Sequence, residues 1–515
     1  MKNAERNTWC RSHQGLCLRQ SESPDVMVNR DVEEVKNLLE KYHQSHLLAF
    51  WGELSPTQRD NLLDQIEQLD FEEVSRWVRF VLENTSPEID SDDIAPVSSY
   101  SSEPADPGQR HKYAEAVRLG ERLISAGKVA AFVVAGGQGT RLGFDGPKGN
   151  FPISPVKQKT FFQIFAETIA AAGQEYETTC PWYIMTSPLN HDETVEIFNS
   201  NDFYGLGAEN VRIFQQGTLP NFDSDGKILL ADKSTMSRSP DGHGGSLKAL
   251  HQSGALADMK KRGIEFISYW QVDNPLVNLF DPLFIGLHAM DRAEMSSKAV
   301  IKTDCMEKVG NFCLRKEDLT VIEYSEFNEM EDNEAPPSPD GQRPKLAERR
   351  NPDYSLVFRL GSIAIHIIST SFVERLNADG FCLPLHKASK KIPHIDATGR
   401  LIESDKPNGV KLETFIFDAL PLATKSIILD ILRDQEFAPT KNATGVDSTE
   451  TTKQMMVARA AEWLESAGVV VPRKPDGSVD CLLEIAPSFA LKKADVKAKL
   501  RRIPQIKPGE TLYLA

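Results

Sequence analysis

A chain of 515 residues exceeds what one hydrophobic core usually supports, so the sequence predicts a large central domain with smaller flanking ones. With 40% apolar and 26% charged residues the composition is that of a globular protein, which excludes wholesale disorder and a fibrous architecture. A formal net charge of -15 argues against a general nucleic-acid binder while leaving room for a local basic pocket.

Residues 1–30 are polar throughout and read as a flexible N-terminus. They lack the apolar core of a secretory signal, and no later run is long enough to span a bilayer, so a cytoplasmic protein with no membrane partner is expected. Seven cysteines (Cys10, Cys17, Cys180, Cys305, Cys313, Cys382, Cys481) without a CxxC pair read as reduced thiols. From Val32 to Glu83 apolar residues recur at helical spacing, as in Val35, Leu38, Leu39 and then Leu62, Leu63, Ile66, Leu69. Ser55, Pro56 and Gln58 form a capped helix start. Residues 86–112, rich in Ser, Pro and Asp, read as an exposed linker that closes a helical N-terminal domain over 31–112.

Short apolar runs then alternate with helical patterns. Val129–Val134, Trp182–Met185, Val211–Phe214, Phe266–Val272 and Ala299–Ile301 look like buried strands, which implies a mainly parallel sheet covered by helices on both faces in a central domain over 113–410. The charged, proline-rich stretch 328–353 is expected to be a mobile loop inserted in that domain. A small mixed domain over 411–515 follows, with Ser426–Leu432 strand-like and Lys453–Ala467 helical.

The most informative segment runs from Val133 through Ala135, Gly136, Gly137, Gly139, Thr140, Arg141, Leu142 and Gly143 to Gly146, Pro147 and Lys148. Its glycines let a nucleotide approach the backbone and let several N–H groups face phosphate oxygens, while Arg141 and Lys148 add mobile positive charge. A dinucleotide fingerprint starting at Gly137 fails because its third glycine would fall on Leu142. A Walker-type loop fails because Lys148 follows proline and precedes glycine. The next helix starts at Thr160 and Gln163, spaced as a capping box.

The string from Gly136 to Gly149 resembles the signature of the nucleotide-sugar pyrophosphorylases, in particular the eukaryotic-type UDP-N-acetylhexosamine branch of the UTP-dependent (UDPGP) family, and the resemblance extends over roughly residues 45–490. It implies a Rossmann-like, glycosyltransferase-A-like nucleotidyltransferase core. It also implies that the loop, with Gly136 and Gly137, holds UTP while Arg141 and Lys148 stabilise the triphosphate. Phe214 to Pro220 matches the segment whose second glutamine reads uracil, here Gln216; on chemistry alone a buried structural amide explains that residue equally well. Ser239 to Gly245 resembles a second glycine loop that touches nucleotide and sugar, with Gly242 and His243 in it.

Asp273 stands where an apolar strand ends, and similar enzymes use it to hold magnesium, with manganese as the alternative ion. By the same resemblance Gly310 and Glu323 contact the hexose, Lys411 binds phosphate and takes part in catalysis, and Lys441 is a further phosphate contact. Two positions depart from the N-acetylglucosamine pattern: His243 and Ser362 stand where asparagines contact the sugar and its acetamido group. A histidine there is similar to relatives that act on glucose 1-phosphate or on several sugars. The expected partners are UTP, a sugar 1-phosphate, a UDP-sugar and pyrophosphate, with no nucleic acid. The expected activity is formation of UDP-N-acetylglucosamine and pyrophosphate from UTP and N-acetylglucosamine 1-phosphate, by in-line attack on the α-phosphorus. A glucose or broad-specificity UDP-sugar pyrophosphorylase is the first rival and a non-catalytic nucleotide-sugar sensor the second.

Overall fold

The computed structural model describes residues 32–83, 89–338, 341–378 and 380–515; the N-terminal stretch 1–30, with Cys10 and Cys17, lies outside them. The chain divides into two compact units that do not follow chain order. One combines residues up to Ile89 with Gly217–Gly245 and Leu376–Phe415, and the other combines Asp90–Gln216, Ser246–Arg375 and Ile416–Ala515. The boundaries expected from sequence, at 112/113 and 410/411, thus cut through these units.

The larger unit is built on a ten-stranded sheet. Its elements are β1 (Ile94–Ala95), α1 (Pro107–Ser125), β2 (Val129–Val134), α2 (Phe161–Glu175), β3 (Trp182–Thr186), β4 (Val211–Gln215), β5 (Phe266–Gln271), α3 (Pro282–Met290) and β6 (Met295–Ile301). There follow β7 (Gly310–Arg315), β8 (Asp318–Ile322), β9 (Leu360–Ser369), β10 (Ser426–Ile431), α4 (Thr449–Ser466), β11 (Leu482–Ile485) and β12 (Thr511–Leu514). The order is β1-β7-β9-β5-β2-β3-β4, with β8 on β7 and with β6 joined to both β9 and β10.

β5, β2, β3 and β4 run parallel; β3 is buried throughout and β2 up to its last residue, which is why these two read as unbroken apolar runs, whereas β4 at the end of the sheet exposes Arg212 and Gln215. All five strands expected from sequence are present. The sheet is parallel only in this half and in the β6–β10 pair; β9 reverses direction beside β5 and carries β7, β8 and β1 antiparallel. Helices α1 and α3 cross at glycine contacts: a Cβ on Gly120 would lie 1.9 Å from Pro282 O, and one on Gly286 1.8 Å from Ala116 O.

Two sequence expectations are corrected in this unit. The stretch called a linker contributes β1 to the sheet, returns at Tyr100, whose N–H donates to Ile428 O (2.8 Å), and enters α1 at Pro107 behind an Asp106 cap. Sparse apolar periodicity hid it because a two-residue edge strand leaves no pattern. In the insert at 328–353, expected to be mobile, the described residues are tied together: Arg349 Nε donates to Asp332 Oδ2 (2.8 Å), the pair holds the Asp332 carboxyl below its usual range, and Leu346 and Ala347 are fully buried.

In the smaller unit the helices Pro56–Glu67 and Phe71–Leu82 present Leu62, Ile66, Phe71 and Val74 to a core shared with Phe222, Ile228, Leu230, Met236 and Leu412. Ser55 and Gln58 form the full capping box expected. Buried Gln44 fixes the association: its Nε2 donates to Gly226 O (3.0 Å) and its Oε1 accepts from Ile228 N (2.9 Å). The N-terminal helices therefore complete the unit that carries the second glycine loop and Lys411.

Candidate functional site

In the larger unit the glycine loop leaves the carboxyl end of β2, where open parallel sheets bind ligands. It folds on itself through Gly139 N to Gly146 O (2.9 Å) and Lys148 N to Gly137 O (3.1 Å), and Asn190 Nδ2 holds it from outside by donating to Ala135 O (2.9 Å) and Gly137 O (3.2 Å). Gly143 sits at φ +71 and Gly146 at φ +139, conformations that favour glycine. Gly136 is glycine for another reason: a Cβ there would lie 2.5 Å from Gln216 Oε1. The buried Gln216 is anchored by its own N–H to Thr186 O (2.8 Å), at the end of β3. At Gly137 nothing lies within 4 Å of a built Cβ, so the backbone there faces open space.

Asp273 lies two residues beyond Gln271, the residue that pairs with Val134 in the sheet, so the β2–β5 register puts it beside the glycine loop. Lys148 Nζ stands 3.4 Å from Asp273 Oδ2, each side chain 15% exposed. Arg141 is exposed and has no hydrogen bond or ion pair among the described residues.

Lys441 joins this group through the backbone. Thr440 N donates to Asp273 O (2.9 Å), and Lys441 N and Asn442 N both donate to Asp447 O (2.7 and 3.0 Å). Two residues that sequence reasoning did not assign hold the arrangement. Buried Asn274 donates from Nδ2 to Glu436 O (2.7 Å) and accepts on Oδ1 from Leu276 N and Ala438 N (3.2 and 3.1 Å), tying the segment after Asp273 to the one before Lys441. Burial pushes the Asp447 carboxyl above its ordinary range; Lys441 opposes this and Asp273 adds to it. Asn274 was within sight as the neighbour of Asp273, whereas Asp447 has no sequence signal.

Gly310, Glu323 and Ser362, widely separated in sequence, converge. Gly310 pairs with Ser362 across β7 and β9, and a Cβ on Gly310 would lie 3.5 Å from Glu323 Oε1. The β6–β9 pairing jumps from Ser297–His366 to Ala299–Ser362, and Ala364 at φ +53 marks the bulge that re-aims this end of β9.

The smaller unit carries its own cluster. The second glycine loop lies on the end of the Gly409–Glu413 strand: Thr414 N donates to Asp241 O (2.8 Å) and Gly244 N to Thr414 O (2.9 Å). A Cβ on Gly242, at φ +85, would lie 2.3 Å from Thr414 O. The His243 ring stacks on Phe415 (centroids 5.3 Å, 22°), and the His386 ring packs on the same Phe415 (centroids 4.3 Å). Burial, helped by His386, lowers the His243 pKa to about 4, so the imidazole is neutral and can both donate and accept. Lys411 Nζ is 3.7 Å from Glu413 Oε1 on the same strand face.

Among the described residues no group of three or more His, Cys, Asp or Glu side chains could cage a metal. A single carboxylate at a strand end suits magnesium, which keeps waters and takes most of its other ligands from substrate phosphates. Asp273, with Lys148 already balancing its charge, fits that description.

A ligand-binding α/β protein of the nucleotide-phosphate type is what the loop, the strand-end aspartate and the surrounding lysines define. The chain belongs to the UDPGP family, described as UTP–glucose-1-phosphate uridylyltransferase, whose profile matches residues 71–515. It is 36% identical over 458 residues to the UDP-N-acetylglucosamine pyrophosphorylase of Saccharomyces cerevisiae, covering 85% of this chain and 92% of that protein. It is 34% identical over 484 residues to the human UDP-N-acetylhexosamine pyrophosphorylase-like protein 1, covering 88% and 92%. The crystal structure of a putative UDP-N-acetylglucosamine pyrophosphorylase from Entamoeba histolytica superposes with a TM-score of 0.68 at 31% identity, over 82% of this chain and 98% of that one. The Trypanosoma brucei uridine diphosphate N-acetylglucosamine pyrophosphorylase shares the fold, with a TM-score of 0.76 at 24% identity over 95% and 99%.

Proposed function

We propose that the protein forms UDP-N-acetylglucosamine and pyrophosphate from UTP and N-acetylglucosamine 1-phosphate. A phosphate oxygen of the sugar 1-phosphate bonds to the α-phosphorus of UTP while the bond from that phosphorus to the bridging oxygen breaks, and the electron pair leaves with pyrophosphate. The nucleophile is already an anion, so no general base is needed. Catalysis consists of alignment and of neutralising charge between two polyanions.

The observation that carries this reading is the Lys148–Asp273 pair at the mouth of the glycine loop. It sets a cation suited to phosphate beside a carboxylate suited to magnesium at the carboxyl ends of the parallel strands, where such sheets bind ligands. Asp273 would hold the ion, which when bound supplies positive charge to the phosphates. Arg141, Lys148 and Lys441 face the triphosphate and Lys411 the reacting phosphates, Gln216 reads the uracil edge, and Gly310, Glu323 and Ser362 receive the sugar. Manganese is expected to substitute for magnesium.

His243 supports a second reading, a glucose or broad-specificity enzyme, because a neutral imidazole stacked on Phe415 stands where an asparagine amide is expected. Pyrophosphate release by purified protein with UTP and magnesium, compared across N-acetylglucosamine, N-acetylgalactosamine, glucose and galactose 1-phosphates, separates them. Preference for an N-acetylhexosamine supports the first reading and preference for glucose the second. No release with any sugar indicates a sensor.

A further inference from the structure

The elements that carry Gly310, Glu323 and Ser362 meet at one residue, Lys302, which follows β6 and is 5% exposed. Its backbone N–H donates to Arg359 O (2.8 Å), directly before β9, the strand of Ser362. Its Nζ donates to Asn311 Oδ1 (2.6 Å), beside Gly310 in β7, and to Cys305 O (3.3 Å), in the loop that leads to Gly310. Nζ also lies 5.7 Å from the centroid of the Phe327 ring, at the end of the short helix Tyr324–Phe327 that Glu323 precedes, and Phe327 N donates back to Glu323 O (2.8 Å).

Stability does not account for a lysine at this place. Among the described residues it makes no ion pair; burial lowers its pKa, and Cys305, Glu307 and Asp304 in the loop that follows oppose this only in part. Asn311 is fully buried, and its Nδ2 donates in turn to Val309 O (3.4 Å). An apolar side chain of like length would fill the same space without the cost of taking an ammonium out of water. What the lysine adds is direction: several donors on one nitrogen, holding the loop before Gly310 and the strand after it at set distances.

We infer that Lys302 is a positioning residue for the hexose subsite, setting the spacing of Gly310, Glu323 and Ser362 and so how tightly and how selectively the sugar 1-phosphate is held. The inference rests on the reading that those three residues receive the sugar. Arg359, Asn311, Cys305 and Phe327 all belong to the hexose side, and none of them to the glycine loop or to the segments of Gln216 and Asp273. Loss of the anchor therefore acts on one substrate and not on the other, which a general loss of packing does not do.

Pyrophosphate release is measured with varied sugar 1-phosphate and with varied UTP for wild type, Lys302→Met and the double variant Lys302→Met with Asn311→Leu. The double variant exchanges both partners for apolar groups of like size and leaves no buried carboxamide without its donor, so its unfolding midpoint is expected to stay near that of wild type. In both variants KM for the sugar 1-phosphate is expected to rise about tenfold or more, the effect of displacing one charge-assisted hydrogen bond from a sugar hydroxyl to Glu323, while KM for UTP stays within about twofold. Discrimination between N-acetylglucosamine and N-acetylgalactosamine 1-phosphates shrinks in step. A KM for sugar 1-phosphate within about twofold of wild type in either folded variant, or a rise in KM for UTP as large as that for the sugar, overturns the inference. Variants that keep the sugar KM of an active wild type remove this inference alone; a wild type that releases no pyrophosphate with any sugar removes the uridylyl-transfer reading and this inference together.

Discussion

Gly136→Ala tests the nucleotide end of the site through one displaced side chain. A Cβ there would lie 2.5 Å from Gln216 Oε1 and 3.3 Å from Ser187 N. Gly136 is not among the positive-φ glycines, so alanine meets no backbone strain. The Gln216 backbone is pinned to Thr186 O, so the carboxamide has to swing away by rotation about its side-chain bonds. It then loses the donor and acceptor proposed to read uracil. Two hydrogen bonds at about 1–1.5 kcal/mol each correspond to a rise of roughly 30- to 150-fold in KM for UTP. These contacts are made equally in ground and transition state, so kcat changes little. Steady-state pyrophosphate release with varied UTP and CTP measures both effects, and preference for UTP over CTP should shrink with the rise in KM. A KM for UTP within about twofold of wild type, in a protein of unchanged unfolding midpoint, would refute the placement of Gln216 on the base.

Arg141→Ala is expected to lower kcat by about 10²- to 10³-fold without moving the unfolding midpoint, because Arg141 is exposed, has no hydrogen bond or ion pair among the described residues and is proposed to act on the triphosphate; near-normal turnover removes it from the mechanism. Lys411→Ala should behave alike in turnover, since only a 3.7 Å contact to Glu413 is lost from the fold, and circular dichroism checks that the fold is intact. Chelation with EDTA should abolish pyrophosphate release and added magnesium or manganese restore it; activity that survives chelation argues against an ion at Asp273. Burial holds His243 at about 4 and His288 at about 3, below the ordinary 6.5, so acidification protonates the unfolded chain first. Their contribution to stability is whole above about pH 6.5 and declines as pH falls towards 4, and urea midpoints that stay constant between about pH 7 and 5 would contradict this.

Local order was legible wherever neighbouring residues decide it. The apolar runs of β2, β3 and β5 announce strands buried on both faces, Ser55 with Gln58 announces a helix start, and the glycines with Arg141 and Lys148 announce a phosphate loop, because each signal is complete within a few residues. At Thr160 the signal was half right: the hydroxyl accepts from Gln163 N, but the Gln163 side chain turns to Glu167 instead of closing the box. What the chain brings together over long separations left no trace of that kind. Pairing of Gly310 with Ser362 depends on sheet register, the fastening of 328–353 on one Arg–Asp pair, and the joining of Gln44 to Gly226 and Ile228 on a fold that brings distant segments into one core. The same holds for Asn274, whose three side-chain hydrogen bonds link the segment after Asp273 to the one before Lys441. Periodicity and turn chemistry act between residues close in the chain, whereas register, burial and the pairing of charges arise only once the chain has packed, and so these features belong to the tertiary structure.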